Sequence, residues 1–159
     1  MIVHPFPPLY NKESSILILG SFPSVKSREQ SFFYGHPQNR FWKVLAAVYG
    51  NPTPMSIQEK KAFLLANKVA LWDVIGSCEI EGSADSTIKS VCANDLSKIL
   101  ENSRIERIFV NGATAKKYYD RYLLKQTKIE AVLLPSTSPA NAAWSLERLV
   151  DFWKDAILN

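Results

Sequence analysis

The sequence is poor in the residues that build metal sites and disulfides. Its 159 residues include only two cysteines, Cys78 and Cys92, and two histidines, His4 and His36. The cysteines lack the paired C-x-x-C spacing of zinc and iron–sulfur sites, and two histidines are too few for a His-rich centre. We therefore expect no metal and no cofactor, and we interpret both cysteines as buried, reduced thiols.

Long apolar runs and nucleotide-binding motifs are missing as well. No segment approaches the roughly 20 apolar residues that a membrane-spanning helix needs, and residues 1–8 have neither a basic region nor a long apolar run. Neither G-x-x-x-x-G-K-S/T nor G-x-G-x-x-G occurs, and no Ser-His-Asp or Cys-His order presents itself. We expect a cytoplasmic protein, nucleoid-associated in a prokaryote, with no membrane partner and no nucleotide cofactor.

The chain does have the composition of an ordinary globular protein with a basic balance. Hydrophobic residues make up 47% and charged residues 21%, which suffices for a packed core at this length. We expect one domain over residues 1–159 and a monomer. Residues 1–14 should form an extended N-terminal arm, because Pro5, Pro7 and Pro8 exclude a regular helix there. The net charge of +4 favours an anionic partner such as a nucleic acid.

Short apolar runs alternate with helical patterns along the chain. Unbroken apolar runs predict strands covered on both faces, and apolar residues at helical spacing predict helices. The predicted strands are residues 16–19, 69–74, 107–110 and 129–134. The predicted helices span residues 41–49, start at residue 56, at residue 94 or 95 and after residue 112, and end the chain at residues 146–157. Residues 20–39 and 76–90 are interpreted as long loops. This order predicts an α/β fold, a three-layer α/β/α arrangement with a central four-stranded parallel sheet.

Polar residues concentrate in the segments that follow the predicted strands. The carboxyl ends of parallel strands meet at one edge of a sheet, and ligands bind at that edge. Four segments converge there: residues 20–39, 73–90, 111–112 and 135–141. They contain amides, hydroxyls, one acid and several aromatic residues. Such groups can grip a flat polar base and position a water molecule.

Three short segments resemble the uracil-DNA glycosylase superfamily. They are Gly20-Ser21-Phe22-Pro23-Ser24, His36-Pro37-Gln38-Asn39-Arg40-Phe41-Trp42-Lys43 and Leu134-Pro135-Ser136-Thr137-Ser138. The similarity is closest to the hypoxanthine-DNA (deoxyinosine) glycosylase branch and extends from residue 16 to residue 153. Each segment alone is a weak signal, but their combination is specific. The resemblance implies the fold of that superfamily and a monofunctional glycosylase that excises hypoxanthine from DNA.

Two positions depart from the pattern of the wider superfamily. Most members carry Asn or Asp at the position of Phe22, where it positions the attacking water, and the uracil enzyme has a histidine at the position of Leu134. A phenylalanine has no polar atom for such work. The hypoxanthine branch is similar in this respect, and the resemblance then places the catalytic amide at Asn39. Its carbonyl oxygen can accept a hydrogen bond from water, although an amide cannot act as a general base at neutral pH.

The resemblance also implies roles for other residues of these loops. A base that is flipped out of the duplex needs a stacking face and polar groups that read its edge. The expected base-binding residues are Phe22, Phe33, Tyr34, Asp73 and Asn111. The expected DNA-binding residues are Ser24, Arg40, Ser136, Thr137, Ser138 and Asn141. The expected partner is double-stranded or single-stranded DNA that contains a deaminated base.

Each of these residues also has a structural interpretation that the sequence leaves open. Asn39 precedes a helical pattern and can cap that helix, and Asn111 before a glycine forms a natural turn pair. Phe33 and Tyr34 can be core residues, and Asp73 can cap the loop that follows it. Residues 136–138 can form an ordinary loop before the last helix.

Two rival functions stay open on sequence alone. Within the enzyme class the rival substrate is uracil or a mismatched base, because Phe22 removes one catalytic route without identifying the accepted base. From another class, the rival is a catalytically silent nucleic-acid-binding module of the same fold. Phe22 and Leu134 motivate it, because both replace polar catalytic residues of the wider superfamily.

Overall fold

The chain alternates between short strands and helices. The computed structural model describes residues 1–159. Its strands are β1 (Ile2–Val3), β2 (Ile16–Gly20), β3 (Val69–Asp73), β4 (Ile75–Glu79), β5 (Lys89–Ala93), β6 (Arg107–Asn111) and β7 (Ala131–Leu134). Its helices are α1 (Val25–Gln30), α2 (Phe41–Val48), α3 (Ile57–Ala66), α4 (Ser97–Glu101), α5 (Ala113–Tyr122), α6 (Leu124–Thr127) and α7 (Leu146–Leu158). None of these helices has both the length and the hydropathy to cross a membrane.

A four-stranded parallel sheet forms the centre of the molecule. Its strand order is β3-β2-β6-β7, and every neighbouring pair is parallel. The register pairs Gly20 with Asp73 at the end of β2 and β3, and Asn111 with Leu134 at the end of β6 and β7. The predicted α/β fold with a central four-stranded parallel sheet is therefore confirmed. The carboxyl ends of all four strands lie at one edge.

Both faces of β2, β3 and β6 are covered, which explains their unbroken apolar runs, whereas Val132 and Leu133 of the edge strand β7 are exposed. In β2, Ile16 and Ile18 pack into a core with α2, α3 and α7, whereas Leu17 and Leu19 pack into a second core with α4 and α5. Successive side chains of a strand point to opposite faces, so a strand buried on both sides has no polar position. Tight packing on both faces holds the strand ends, and therefore the loops that follow them, in fixed positions.

The interpretation of residues 76–90 as one long loop is wrong. Strands β4 and β5 pair antiparallel and, with β1, form a second sheet in the order β1-β4-β5. The sequence concealed β5 because most of its residues are exposed or half-buried, so that no apolar alternation marks it. Cys78 is buried in β4, but Cys92 in β5 is exposed, which corrects the prediction that both thiols are buried.

The interpretation of residues 20–39 as one long loop is also incomplete. The segment contains α1, in which Ser24 is the N-cap and accepts from the backbone N–H of Ser27. Ser31 ends the helix in a left-handed conformation with φ of 55°. This helix of six residues buries only Ser27, so it has no apolar stripe that periodicity could detect.

The N-terminal segment is extended and belongs to the second sheet. Ile2 and Val3 pair with Cys78 and Ser77 of β4. Leu9 forms an isolated bridge with Leu71 of β3. The segment thereby crosses from one sheet to the other, close to the carboxyl end of β3.

Candidate active site

A cavity of about 990 Å³ opens at the carboxyl edge of the central sheet. Segments after β2, β3, β6 and β7 line it, together with the turn between β4 and β5. The register explains this convergence, because Gly20, Asp73, Asn111 and Leu134 end neighbouring strands side by side. Of the residues predicted from the sequence, the cavity brings together Phe22, Ser24, Phe33, Tyr34, Asn39, Asp73, Asn111, Ser136, Thr137, Ser138 and Asn141.

A hydrogen-bonded network joins the polar side chains of three of these segments. The Thr137 hydroxyl donates to Asn39 Oδ1 over 2.8 Å and accepts from Asn111 Nδ2 over 3.0 Å. Asn111 Nδ2 also donates to the Tyr34 hydroxyl at 3.2 Å, and Asn111 Oδ1 accepts from the backbone N–H of Thr137 at 3.1 Å. Thr137 is fully buried. A satisfied buried network of this kind fixes the orientation of each amide.

The Asn39 amide has its oxygen towards the protein. Oδ1 accepts from the backbone N–H of Phe41 at 2.9 Å as well as from Thr137. The N-cap of α2 is Arg40, which makes no side-chain capping bond, so Asn39 is not the N-cap itself; its Oδ1 instead accepts from the backbone N–H of Phe41, the first residue of the helix. Both lone pairs of Oδ1 are engaged, while Nδ2 has no partner within the protein. The predicted catalytic role of Asn39 remains a prediction, and it now has a defined geometry.

Tyr34 has a strained backbone and a fixed ring. Its φ of +50° lies in the left-handed region, which is unfavourable for a bulky residue. The ring stacks on Phe41 with centroids 4.0 Å apart and planes 15° apart, so one of its faces is already covered. Burial, and then the charge of Asp73, raises the pKa of the Tyr34 phenol above its usual range. Tyr34 therefore keeps its proton and remains a hydrogen-bond donor.

Asp73 is a buried carboxylate at the end of β3. Its residue exposure is 4%, and Oδ2 lies 2.7 Å from Nε2 of His4. A Cβ on Gly20 would lie 2.5 Å from Asp73 Oδ1 and 2.8 Å from the Tyr34 hydroxyl oxygen. Only a glycine therefore allows the carboxylate and the phenol to come this close to the end of β2.

The two predicted phenylalanines lie in the wall of the cavity rather than across its opening. Phe33 is 2% exposed and packs edge-on against Phe6 and Phe32. Phe22 is 8% exposed, and the Arg28 guanidinium lies over its ring at 5.7 Å from the centroid. Phe33 thus has the packing of a core residue, which the sequence left open. Stacking of a base on either ring stays a prediction.

The segment after β7 is ordered by bonds within itself. The Ser136 hydroxyl accepts from the backbone N–H of Ser138, and the Ser138 hydroxyl accepts from that of Ala140, both at 3.1 Å. Asn141 Nδ2 donates to the Ser136 carbonyl at 2.9 Å. The Ser136 and Ser138 hydroxyls therefore stabilise the backbone conformation of this loop. Their predicted contacts with DNA stay predictions.

Arg40 does not line the cavity. Its guanidinium donates to the carbonyl oxygens of Ser138 at 2.9 Å, Asn141 at 3.1 Å and Trp144. These bonds tie the start of α2 to the loop after β7. Its predicted contact with DNA stays a prediction, but the structure also gives Arg40 a clear structural role.

Two residues at the site, His4 and Asp85 in the turn between β4 and β5, are not among those predicted from the sequence. Side chains at positions 2, 4 and 6 are more buried than those at positions 1, 3 and 5, an alternation that marks a strand with His4 turned inward. In the β4–β5 turn, Asp85 accepts from the Ser21 hydroxyl at 3.1 Å, and Asp85 lines the cavity. No group of three or more His, Cys, Asp or Glu side chains is arranged to hold a metal ion.

The cavity and its lining residues define a class of protein. The cavity has the size of a small-ligand site, lies at the ligand-binding edge of a parallel sheet, and presents amides, a phenol and carboxylates beside aromatic rings. Such a site suits a polar heterocycle that is held by its edge.

Comparisons with known proteins agree with that class. The Uracil DNA glycosylase superfamily model matches residues 7–157. A Methanosarcina acetivorans protein named "Hypoxanthine DNA glycosylase" is 37% identical over 150 residues, 93% of this chain and 94% of that protein. A Methanosarcina barkeri protein of the same name is 32% identical over 153 residues, 95% of each chain. A solution NMR structure from Methanosarcina acetivorans, assigned to the uracil DNA glycosylases, has a TM-score of 0.82 and 35% identity, covering 98% of this chain and 96% of that one.

The chain therefore belongs to the uracil DNA glycosylase superfamily. The resemblance of residues 20–24, 36–43 and 134–138 to that superfamily is confirmed, and so is the predicted fold.

Proposed function

We propose that this chain is a monofunctional DNA glycosylase that releases hypoxanthine from deoxyinosine in DNA. The observation that carries the substrate is the similarity, over more than nine-tenths of each chain, to two proteins named Hypoxanthine DNA glycosylase. The cavity supports the class of reaction, because its amides and carboxylates can hold a polar base and a water molecule together. The protein acts as a monomer on duplex or single-stranded DNA.

The reaction needs a site that stabilises separated charges. The C1′–N9 bond breaks with its electron pair going to the purine, and the oxygen of a water molecule forms the new bond to C1′. Positive charge develops on the sugar, and the leaving purine takes up a proton. No lysine lines the cavity, so no amine is placed to form a Schiff base with the sugar. The product is then an abasic site with an intact strand.

Asn39 is the residue that we assign to the attacking water. Its Oδ1 already accepts two hydrogen bonds, one from the Thr137 hydroxyl and one from the backbone N–H of Phe41. The backbone N–H of Phe41 is fixed, but the Thr137 hydroxyl can rotate. A water molecule that donates to Oδ1 therefore competes with Thr137, and the unpaired Nδ2 remains available to a second ligand atom. Phe22 contributes no polar atom to this step.

The test is a cleavage assay on duplexes that contain a single inosine, uracil, xanthine or normal base, followed by alkali to cut abasic sites. We expect cleavage at inosine by the wild type. Asn39→Ala should abolish it with little change in duplex affinity, because the reacting water loses its ligand. The melting temperature is measured beside the rate, because the variant also removes the acceptor of the Thr137 hydroxyl and of the Phe41 backbone N–H. The matched control is Asn102→Ala, which removes an exposed amide that donates only to the Lys98 carbonyl.

Each outcome of this assay separates the rival functions. Cleavage at uracil in preference to inosine assigns the uracil-specific activity, which the name of the NMR structure favours. Binding to all duplexes without cleavage identifies a silent DNA-binding module. Full activity of Asn39→Ala moves the water to another residue.

A further inference from the structure

The cavity has a charge that contrasts with the rest of the molecule. The chain has a net charge of +4, but no lysine or arginine lines the cavity, and its carboxylates are Asp73 and Asp85. A negative cavity does not suit a phosphate. It suits a ligand edge that donates a hydrogen bond.

Asp73 and Tyr34 both line this cavity, and Asp73 Oδ1 and the Tyr34 hydroxyl both lie close to Gly20 at the end of β2. Both crowd the same point above Gly20, within 2.5 and 2.8 Å of the position that a Cβ would take. The Tyr34 hydroxyl accepts from Asn111, so its own hydrogen is left to donate. The pair therefore presents one acceptor next to one donor.

This pair is complementary to the edge that deamination creates. Hypoxanthine has an N1–H donor beside the O6 acceptor, and uracil has N3–H beside O4. Adenine presents the reverse, an N1 acceptor beside an N6 amino donor. A carboxylate that faces N1 therefore attracts hypoxanthine and repels the lone pair of adenine.

His4 determines how Asp73 is held. The backbone N–H of Phe6 donates to His4 Nδ1 at 3.5 Å, so the ring proton lies on Nε2 and is donated to Asp73 Oδ2 at 2.7 Å. The two side chains are 3% and 6% exposed. A buried carboxyl group without a hydrogen-bond partner is costly, and a donor of this kind also fixes its orientation.

The segment that carries His4 is built to keep the ring in place. The backbone N–H of His4 donates to the Gly76 carbonyl at 2.7 Å. The imidazole packs against the rings of Phe6, Phe22 and Trp72. The segment next to the second sheet therefore brings His4 into contact with Asp73, which lines the site that the first sheet forms.

We propose that His4 is a positioning residue for base specificity: it holds Asp73 so that Asp73 Oδ1 and the Tyr34 hydroxyl together read the lactam edge of a deaminated base. The assignment rests on the proposed glycosylase function and adds a residue next to the second sheet to its specificity.

The test compares His4→Phe with His4→Gln. His4→Phe keeps an aromatic ring but loses the donor, whereas His4→Gln keeps an N–H donor and loses the ring. Single-turnover rates are measured on duplexes with inosine, uracil or adenine opposite the same base. Affinity for a duplex with a tetrahydrofuran abasic analogue, which has no base to read, and the melting temperature are measured in parallel.

We expect His4→Phe to lower the inosine rate roughly 10- to 100-fold, the range expected when a buried charged group loses a hydrogen bond. Its affinity for the abasic duplex should stay within about twofold, since that duplex offers no lactam edge. His4→Gln should recover most of the inosine rate. In the Asp73→Asn background, His4→Phe should cause no further loss, because the two residues act as one unit.

Four results overturn the assignment of His4. They are a wild-type inosine rate in His4→Phe, independent losses in the double variant, an equally inactive His4→Gln, and parallel losses of rate and abasic-duplex affinity. All of these require that the wild type releases hypoxanthine. If the wild type releases no base, the proposed function itself fails and this assignment fails with it.

Discussion

At the scale of single residues, the site depends on side chains whose orientation is fixed by their neighbours. The backbone N–H of Phe41 determines which end of the Asn39 amide is the oxygen, and Thr137 connects that oxygen to Asn111. Thr137 offers the network one donor and one acceptor through a single hydroxyl. Removing it would take one of the two bonds that Asn39 Oδ1 accepts and one of the two bonds that Asn111 Nδ2 donates, inside a buried network.

Thr137→Val should therefore weaken both stability and catalysis. Valine has nearly the same shape, but it removes one buried hydrogen bond from Asn39 and one from Asn111, which costs about 1–3 kcal/mol of unfolding free energy. For a chain of this size that lowers Tm by roughly 2–4 °C per kcal/mol. The single-turnover rate on an inosine duplex should fall as well, because the Asn39 amide is then held only by the backbone N–H of Phe41 and is oriented less firmly.

The matched control for this variant is Thr137→Ser, which keeps the hydroxyl and loses only a methyl group, at a cost of about 1 kcal/mol. Its rate should stay near that of the wild type. A fully active Thr137→Val would show that the network does not position the reacting groups.

At the scale of structural elements, one arginine connects two of the loops that meet at the cavity. Arg40 comes directly before α2, and its fork of donors holds three carbonyl oxygens of residues 138–144. A planar guanidinium can bind several carbonyls at once, whereas an ammonium group acts as one compact charge. The loop after β7 therefore owes its shape to a residue on a different element.

Arg40→Lys should loosen residues 138–144 without changing the net charge. We expect faster amide hydrogen exchange in that loop and weaker binding to an abasic-site duplex, with little change in the exchange of β2 and β6. The loop carbonyls lose their donors, but both cores stay intact.

Arg104→Lys is the control for this change, because Arg104 makes one exposed ion pair with Glu13 at 3.5 Å. Exposed pairs of this kind contribute little to stability. Unchanged exchange in residues 138–144 of Arg40→Lys would contradict the structural role of Arg40.

At the scale of the whole molecule, the positively charged side chains lie apart from the cavity. The net charge is +4, while the cavity has carboxylates and no lysine or arginine. The lysines and arginines that attract the phosphate groups of DNA therefore lie outside the cavity. Binding of the backbone and cleavage at the base should respond differently to salt.

Increasing KCl should weaken duplex binding and leave the chemical step almost unchanged. Each neutralised phosphate contributes roughly −0.9 to the slope of log K against log salt concentration, so two or more contacts give a slope of about −2 or steeper. Single-turnover rates at saturating enzyme should stay nearly constant over the same range. A rate that falls together with affinity would place a phosphate contact within the reacting site.

The sequence by itself determined the central sheet of this protein and the edge at which its site lies. Strands that are buried on both faces need unbroken apolar runs, and such runs identified β2, β3, β6 and β7 and therefore the edge where their loops meet. The motifs in those loops identified the superfamily, and all of the predicted site residues except Arg40 line the cavity. These features are local in the chain, so a pattern of neighbouring residues can reveal them.

Only the tertiary structure decided how the site is completed. Strand β5 is stabilised by pairing with β4 rather than by an apolar pattern of its own. The bond between His4 and Asp73 joins residues 69 positions apart, and Arg40 reaches a carbonyl 98 positions away. No local pattern specifies which distant partner a buried polar group will find, because the packing of the two sheets and their helices decides it.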